Sequence, residues 1–217
     1  MLGSMDILII AIGVAFAVTV HEFMHAWTAD RLGDPTPRQQ GRITLNPLAH
    51  FDLFGTLALI FFRFGWGKPV QFNPNNLRFP RRDSALIALA GPMTNLVTAF
   101  VLAAPLKLMS QNITEASSAA FVFLFLVLKG ISDISVILFS LNVLPLPPFD
   151  GSKIVGLIIP HRYERQYNNF LYHAPKYIIL FILFDIFVLS NVFKISIIGL
   201  LVGTVAQWVF ALVSLGA

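Results

Sequence analysis

The sequence contains no cysteine. That excludes disulfides and thiolate metal ligands, so any metal site has to be built from histidine and carboxylate. Charge is also scarce: 12% of the 217 residues are Asp, Glu, Lys or Arg, about half the share of an ordinary soluble domain, roughly 25%. No run of basic residues interleaved with aromatics occurs, which argues against a nucleic-acid partner. The net charge of +4 is modest. No cationic stretch precedes the first apolar run and no small-residue cleavage site follows it. The expectation is therefore a retained helix, not a removable leader. Met1–Ser4 precede a second methionine and are set aside as an expression remnant.

Apolar sequence is abundant, with 56% hydrophobic residues, 21 of them phenylalanine. Runs that reach or approach the ~20 residues needed to cross a bilayer core recur along nearly the whole chain. The expectation is one polytopic membrane domain over residues 1–217, an all-α bundle of about five to six transmembrane helices. The spans are read as Ile7–Leu32, Asp83–Met109, Ser117–Leu144, Tyr177–Leu189 and Ile195–Leu215, with His161–Lys176 as a polar loop. Phe51–Trp66 is too short to cross comfortably and is read as a dip into the membrane or a surface segment. Arg42–Leu45 and Val70–Asn73 alternate polar and apolar residues, which predicts a small β-sheet or hairpin insertion. Twelve loop cations fall on one side of this topology and two, Lys107 and Lys194, on the other. Lys and Arg are retained in cytoplasmic loops, so the N-terminus is expected outside and the insertion near the cytoplasmic face.

His21-Glu22-Phe23-Met24-His25 places two histidines four residues apart, on one face of a helix. Two imidazoles so placed can share a zinc ion, and the glutamate between them can take a proton from a water whose pKa the ion lowers. Ionisable groups inside an apolar helix are costly and normally face a partner or a water-filled cavity. A catalytic zinc needs a third protein ligand. Asp150 is the strongest candidate, in a segment where Pro145, Pro147 and Pro148 stop a helix and Gly151 permits close chain approach. His50 is the alternative ligand, or a gate. Ala90-Gly91-Pro92-Met93-Thr94-Asn95 is either a small-residue packing site or a source of an intramembrane amide at Asn95. Lys129 and Asp133, four residues apart within a span, are expected to pair. Asp185 has no obvious local partner.

Together HExxH on a first helix, GPxxN, and Asn142-x-x-Pro145-x-x-x-x-Asp150-Gly151 resemble the site-2 protease family of intramembrane zinc metalloproteases. Gly41–Pro47 and Gly65–Val70 resemble its compact prokaryotic members, which lack PDZ-like and nucleotide-sensing domains. The resemblance implies one Zn2+ per chain on His21, His25 and Asp150, and Glu22 as the general base. It implies Asn95 and Asn142 as residues holding the substrate backbone or the transition-state oxygen. It also implies transmembrane protein substrates, reached through the lipid bilayer of a prokaryotic cell membrane. Two other readings compete: a divalent metal transporter with His21, His25, Asp150 and Asp185 as transit residues, and an inactive zinc-binding scaffold. The intact Glu22 argues against the scaffold.

Overall fold

The computed structural model describes residues 4–52, 55 and 67–215. Most of the Phe51–Trp66 piece therefore lies outside the described residues. Five helices are long and apolar enough to cross a membrane: Met5–Arg31, Pro80–Asn112, Ala119–Asn142, His161–Val192 and Ile197–Ser214. The shortest, at 18 residues, rises about 27 Å at 1.5 Å per residue, close to the ~30 Å hydrocarbon thickness.

Helix α1 (Ser4–Arg31) leads into a short helix α2 (Thr36–Gln39). Next come two 3-10 turns, Pro47–Ala49 and Pro74–Asn76, each started by an asparagine whose side chain accepts a backbone N–H two residues on. Helix α3 (Pro80–Asn112) has proline at its first position, where no amide donor is needed. Its Asp83 carboxylate accepts the Phe79 N–H at 2.9 Å. Ser118 caps helix α4 (Ala119–Asn142), which stops just before the proline-rich segment. Helix α5 (Asp150–Val155) follows, then α6 (Glu164–Phe184), which continues through a π turn at Asp185–Leu189, and finally α7 (Ile197–Leu215).

Helices α1, α3 and α4 pack on one another, α5 packs on α3, and α7 packs on α4 and α3. Lipid tails are as apolar as leucine, so membrane helices associate through close backbone approach and polar contacts. The α1–α4 crossing follows that rule: a Cβ on Gly13 would sit 2.9 Å from the Gly130 carbonyl oxygen. Behind it, Ala99, Ala103, Val136, Ala206, Val209 and Val213 form a core of small and branched side chains. Large apolar residues such as Phe100, Leu124, Leu180, Leu200 and Trp208 stay exposed on the outer surface, as a lipid-facing surface requires.

Three expectations need correcting. No β-strand occurs among the described residues; Phe51 and Gly67 make one isolated antiparallel bridge. The amide donors that a strand would pair are taken by carboxylates instead: Val70 N–H donates to Glu22 at 2.8 Å and Asn73 N–H to Asp34 at 2.6 Å. The His161–Lys176 stretch is not a loop. After a 3-10 turn at His161–Tyr163 it is helical, because Tyr167, Phe170, Leu171, Ala174 and Ile178 recur at helical spacing. Asp185 does have a partner, from across the turn: its carboxylate accepts Ser196 Oγ–H at 2.6 Å and Ile197 N–H at 2.7 Å, capping α7. Lys129 and Asp133 pair as expected, at 2.5 Å.

Candidate metal centre

The i,i+4 spacing on α1 sets His21 and His25 edge to face, with ring centroids 4.6 Å apart. Each ring is tied from behind. His21 Nδ1 meets Asn95 Oδ1 at 2.6 Å, and the Asn95 amide donates to the Ala17 carbonyl at 3.0 Å, so its oxygen must be the atom facing the ring. His25 Nδ1 meets the Ile87 carbonyl at 2.7 Å. Both acceptors require Nδ1 to carry the proton, which leaves a lone pair on each Nε2. These lone pairs converge, with the two Nε2 atoms 2.9 Å apart. Asp150 Oδ2, brought in by the start of α5, completes the group at 3.2 Å from His21 Nε2 and 3.0 Å from His25 Nε2.

Three electron-pair donors thus face one another in a buried space. Without a cation this arrangement is repulsive. Three atoms about 3 Å apart are the corners that a tetrahedral ion with ~2 Å bonds would occupy, and two imidazoles with one carboxylate are a donor set suited to zinc. The space is kept by Gly91: a Cβ there would lie 2.4 Å from His25 Nε2 and 2.7 Å from His21 Nε2. Gly151 serves the approach of α5, since a Cβ would strike the Leu144 and Val143 carbonyls at 2.3 and 2.4 Å. The GPxxN segment is therefore more than packing: its glycine makes room and its asparagine orients a ring.

Glu22 points elsewhere on the helix, accepting the Val70 N–H, with Arg42 Nη2 at 3.9 Å from its carboxylate. Arg42 is buried and donates to the carbonyls of Ala49 and Lys68, joining the two chain segments that flank residues 53–66. His50 is fully buried with Nε2 at 2.8 Å from the Thr44 carbonyl, and it does not join the triad. Asn142 donates to Leu138 in its own helix. Sequence reasoning missed Arg42 and the Ile87 carbonyl. A buried arginine in a polar stretch looks like any loop cation, and a backbone carbonyl carries no residue signal at all.

Apolar spanning helices and a buried cluster of two histidines and one carboxylate define a membrane protein with a candidate metal centre. The comparisons agree: the family model for peptidase family M50 matches residues 9–184, and the chain belongs to that family, the site-2 proteases. The Bacillus subtilis protein YwhC, provisionally named a zinc metalloprotease, is 38% identical over 73% of this chain and 72% of its own length. Two mycobacterial proteins provisionally named zinc metalloprotease Rip2 are each 32% identical. The one from Mycobacterium tuberculosis H37Rv matches 79% of this chain and 63% of its own length, and the one from Mycolicibacterium smegmatis 71% and 57%. The chain thus spans about three-fifths of the mycobacterial relatives. No solved structure matches the chain significantly. Zinc is the cofactor that the family and the triad share.

Proposed function

We propose that this chain, a single membrane domain, hydrolyses peptide bonds in or beside transmembrane segments of other membrane proteins. One zinc ion would be held by His21, His25 and Asp150, and Glu22 would be the general base. The observation that carries this reading is the convergence of three lone pairs on one buried point while both far ring nitrogens are engaged. When bound, zinc supplies a Lewis acid that polarises a carbonyl and makes water acidic enough to deprotonate near neutral pH. The protein supplies the rest. Asn95 and the Ile87 carbonyl keep both imidazoles in the tautomer that binds metal. The Val70 amide holds one oxygen of Glu22, and in this reading the carboxylate would take a proton from water and return it to the leaving amine.

Substrates would arrive from the lipid, because the triad lies between spanning helices. A helical segment must unwind to present a carbonyl. The bias of cations toward one side supports a site facing the cytoplasm of a prokaryotic cell. Cysteines placed at Gln39 and Arg82 should then be shielded from an impermeant external reagent in intact cells, and one at Asn112 should react; labelling at Arg82 would reverse or break this topology. The transporter reading loses one of its transit residues, since Asp185 is buried as the α7 cap. The deciding experiment is cleavage of a tagged panel of transmembrane substrates in proteoliposomes, with zinc flux recorded alongside. Chelator-sensitive cleavage without flux is expected. Flux without cleavage would overturn the reading.

A further inference from the structure

The two oxygens of Asp150 have different surroundings. Oδ2 faces both imidazoles, whereas Oδ1 faces Lys153 Nζ at 3.5 Å. Three residues along a helix bring two side chains one above the other, so α5 itself presents this ammonium to the carboxylate. Lys153 is held from a second direction as well. Its Nζ lies 5.8 Å from the centre of the Phe72 ring, and Phe72 packs on the cluster of Ala29, Leu77 and Ile87 that backs the His25 side of the centre. Helix α5 is anchored at Ser152 and in the turn that follows its C-terminal end. Tyr167 O–H donates to the Ser152 carbonyl, and the Arg81 guanidinium donates to the carbonyls of Gly156, Leu157 and Ile159. The helix is thereby held in the rotation that separates the two oxygens.

We propose that Lys153 is a positioning residue of the metal centre, holding Asp150 Oδ1 away from the ion so that the carboxylate contributes one oxygen only. This rests on the assignment of His21, His25 and Asp150 as the zinc ligands. A hydrolytic zinc site uses three protein ligands and keeps a further position for water or substrate. A carboxylate free to turn would offer its second oxygen to that position. An ammonium on Oδ1 opposes the turn electrostatically, and as a point charge it does so without occupying the ion's surroundings.

The test compares Lys153→Met, which keeps the stem on Phe72 and removes the charge, with Lys153→Arg, which keeps the charge. The full chain in nanodiscs is loaded with Co2+ for visible spectroscopy and with Zn2+ for X-ray absorption. Wild type and Lys153→Arg should show the intense visible bands of a four-coordinate ion. Lys153→Met should lose that intensity and gain one oxygen neighbour in the zinc spectrum. Its turnover should fall about 10-fold, the low end for residues that orient metal ligands, with KM unchanged. Lys153→Gln is read by the same criterion if the methionine variant does not purify folded. His21→Ala runs in parallel and must lose the metal; retention there would overturn the zinc assignment itself. Metal loss in His21→Ala together with a wild-type spectrum and oxygen count in the charge-removed variant would overturn the role of Lys153.

Discussion

The end of the bundle that holds His21, His25 and Asp150 and the α6–α7 hairpin are both built from apolar helices, yet they are held together differently. Around the metal centre, Asn95, Asp34, Arg42 and Asp83 are all buried with polar partners, and Gly91 and Gly151 admit no side chain. In the hairpin a single buried carboxylate, Asp185, caps α7, Gly203 has open space beside it, and the outward side chains are large and exposed. Helices in lipid gain little from hydrophobic contact with each other. Position is therefore fixed where polar locks and close glycine contacts are concentrated, and left tolerant elsewhere.

The sharpest way to break this contrast is to make the same substitution in both regions. Gly91→Ala should empty the centre, because its new methyl would overlap two ligand nitrogens. Zinc content by elemental analysis should fall from about one per chain to near none, and cleavage should vanish. Full zinc occupancy in this variant would show that α3 can yield and that the site end is not rigid.

Next in size is Glu22→Gln, which keeps the shape of the side chain and its hydrogen bond to Val70. Turnover should drop at least ~10²-fold, the low end of general-base contributions, with zinc retained. Undiminished cleavage would remove Glu22 from the chemistry and leave the site end as a binding scaffold.

Asp34 tests the locks without touching the metal. Burial pushes its pKa up, but hydrogen bonds from Thr36, Asn76 and the Asn73 amide outweigh that and hold it below the usual carboxylate range. The stabilisation is present above the ordinary carboxylate pKa of about 4 and is lost as pH falls through the lower folded value. Asp34→Asn should cost about 2 kcal/mol, since the charge is lost and an amide group can face the Asn73 donor. Thermal unfolding should show this deficit as constant at neutral pH and shrinking below about pH 4. A deficit independent of pH down to acid would assign the effect to shape, not charge.

The smallest effect is expected at Gly203→Ala. A Cβ there meets nothing within 4 Å, so the change should be neutral or stabilising by no more than about 1 kcal/mol, the helix-propensity difference. Thermal unfolding that fell well below wild type would reveal close packing on this face and remove the contrast.

Much of this was legible in the order of residues. Apolar runs mark helices because crossing a bilayer is a matter of length and composition, and His21 and His25 share a face because helical periodicity is local. The sequence by itself determined the helical membrane class, the two-histidine face and the candidacy of Asp150. It could not place partners that come from elsewhere in the chain. Alternation at Arg42–Leu45 and Val70–Asn73 suggested strands, but the Val70 and Asn73 amides went to Glu22 and Asp34 and the Arg42 amide to the Pro37 carbonyl. Asp185 looked alone until the turn returned Ser196 and Ile197 to it. The gathering of Asp150, and not His50, beside the two imidazoles, the Ile87 carbonyl behind His25 and the division of Asp150 between those imidazoles and Lys153 were decided only by tertiary structure. Periodicity fixes which residues share a face of one helix, whereas metal and hydrogen-bond partners are selected by distances between helices far apart in sequence.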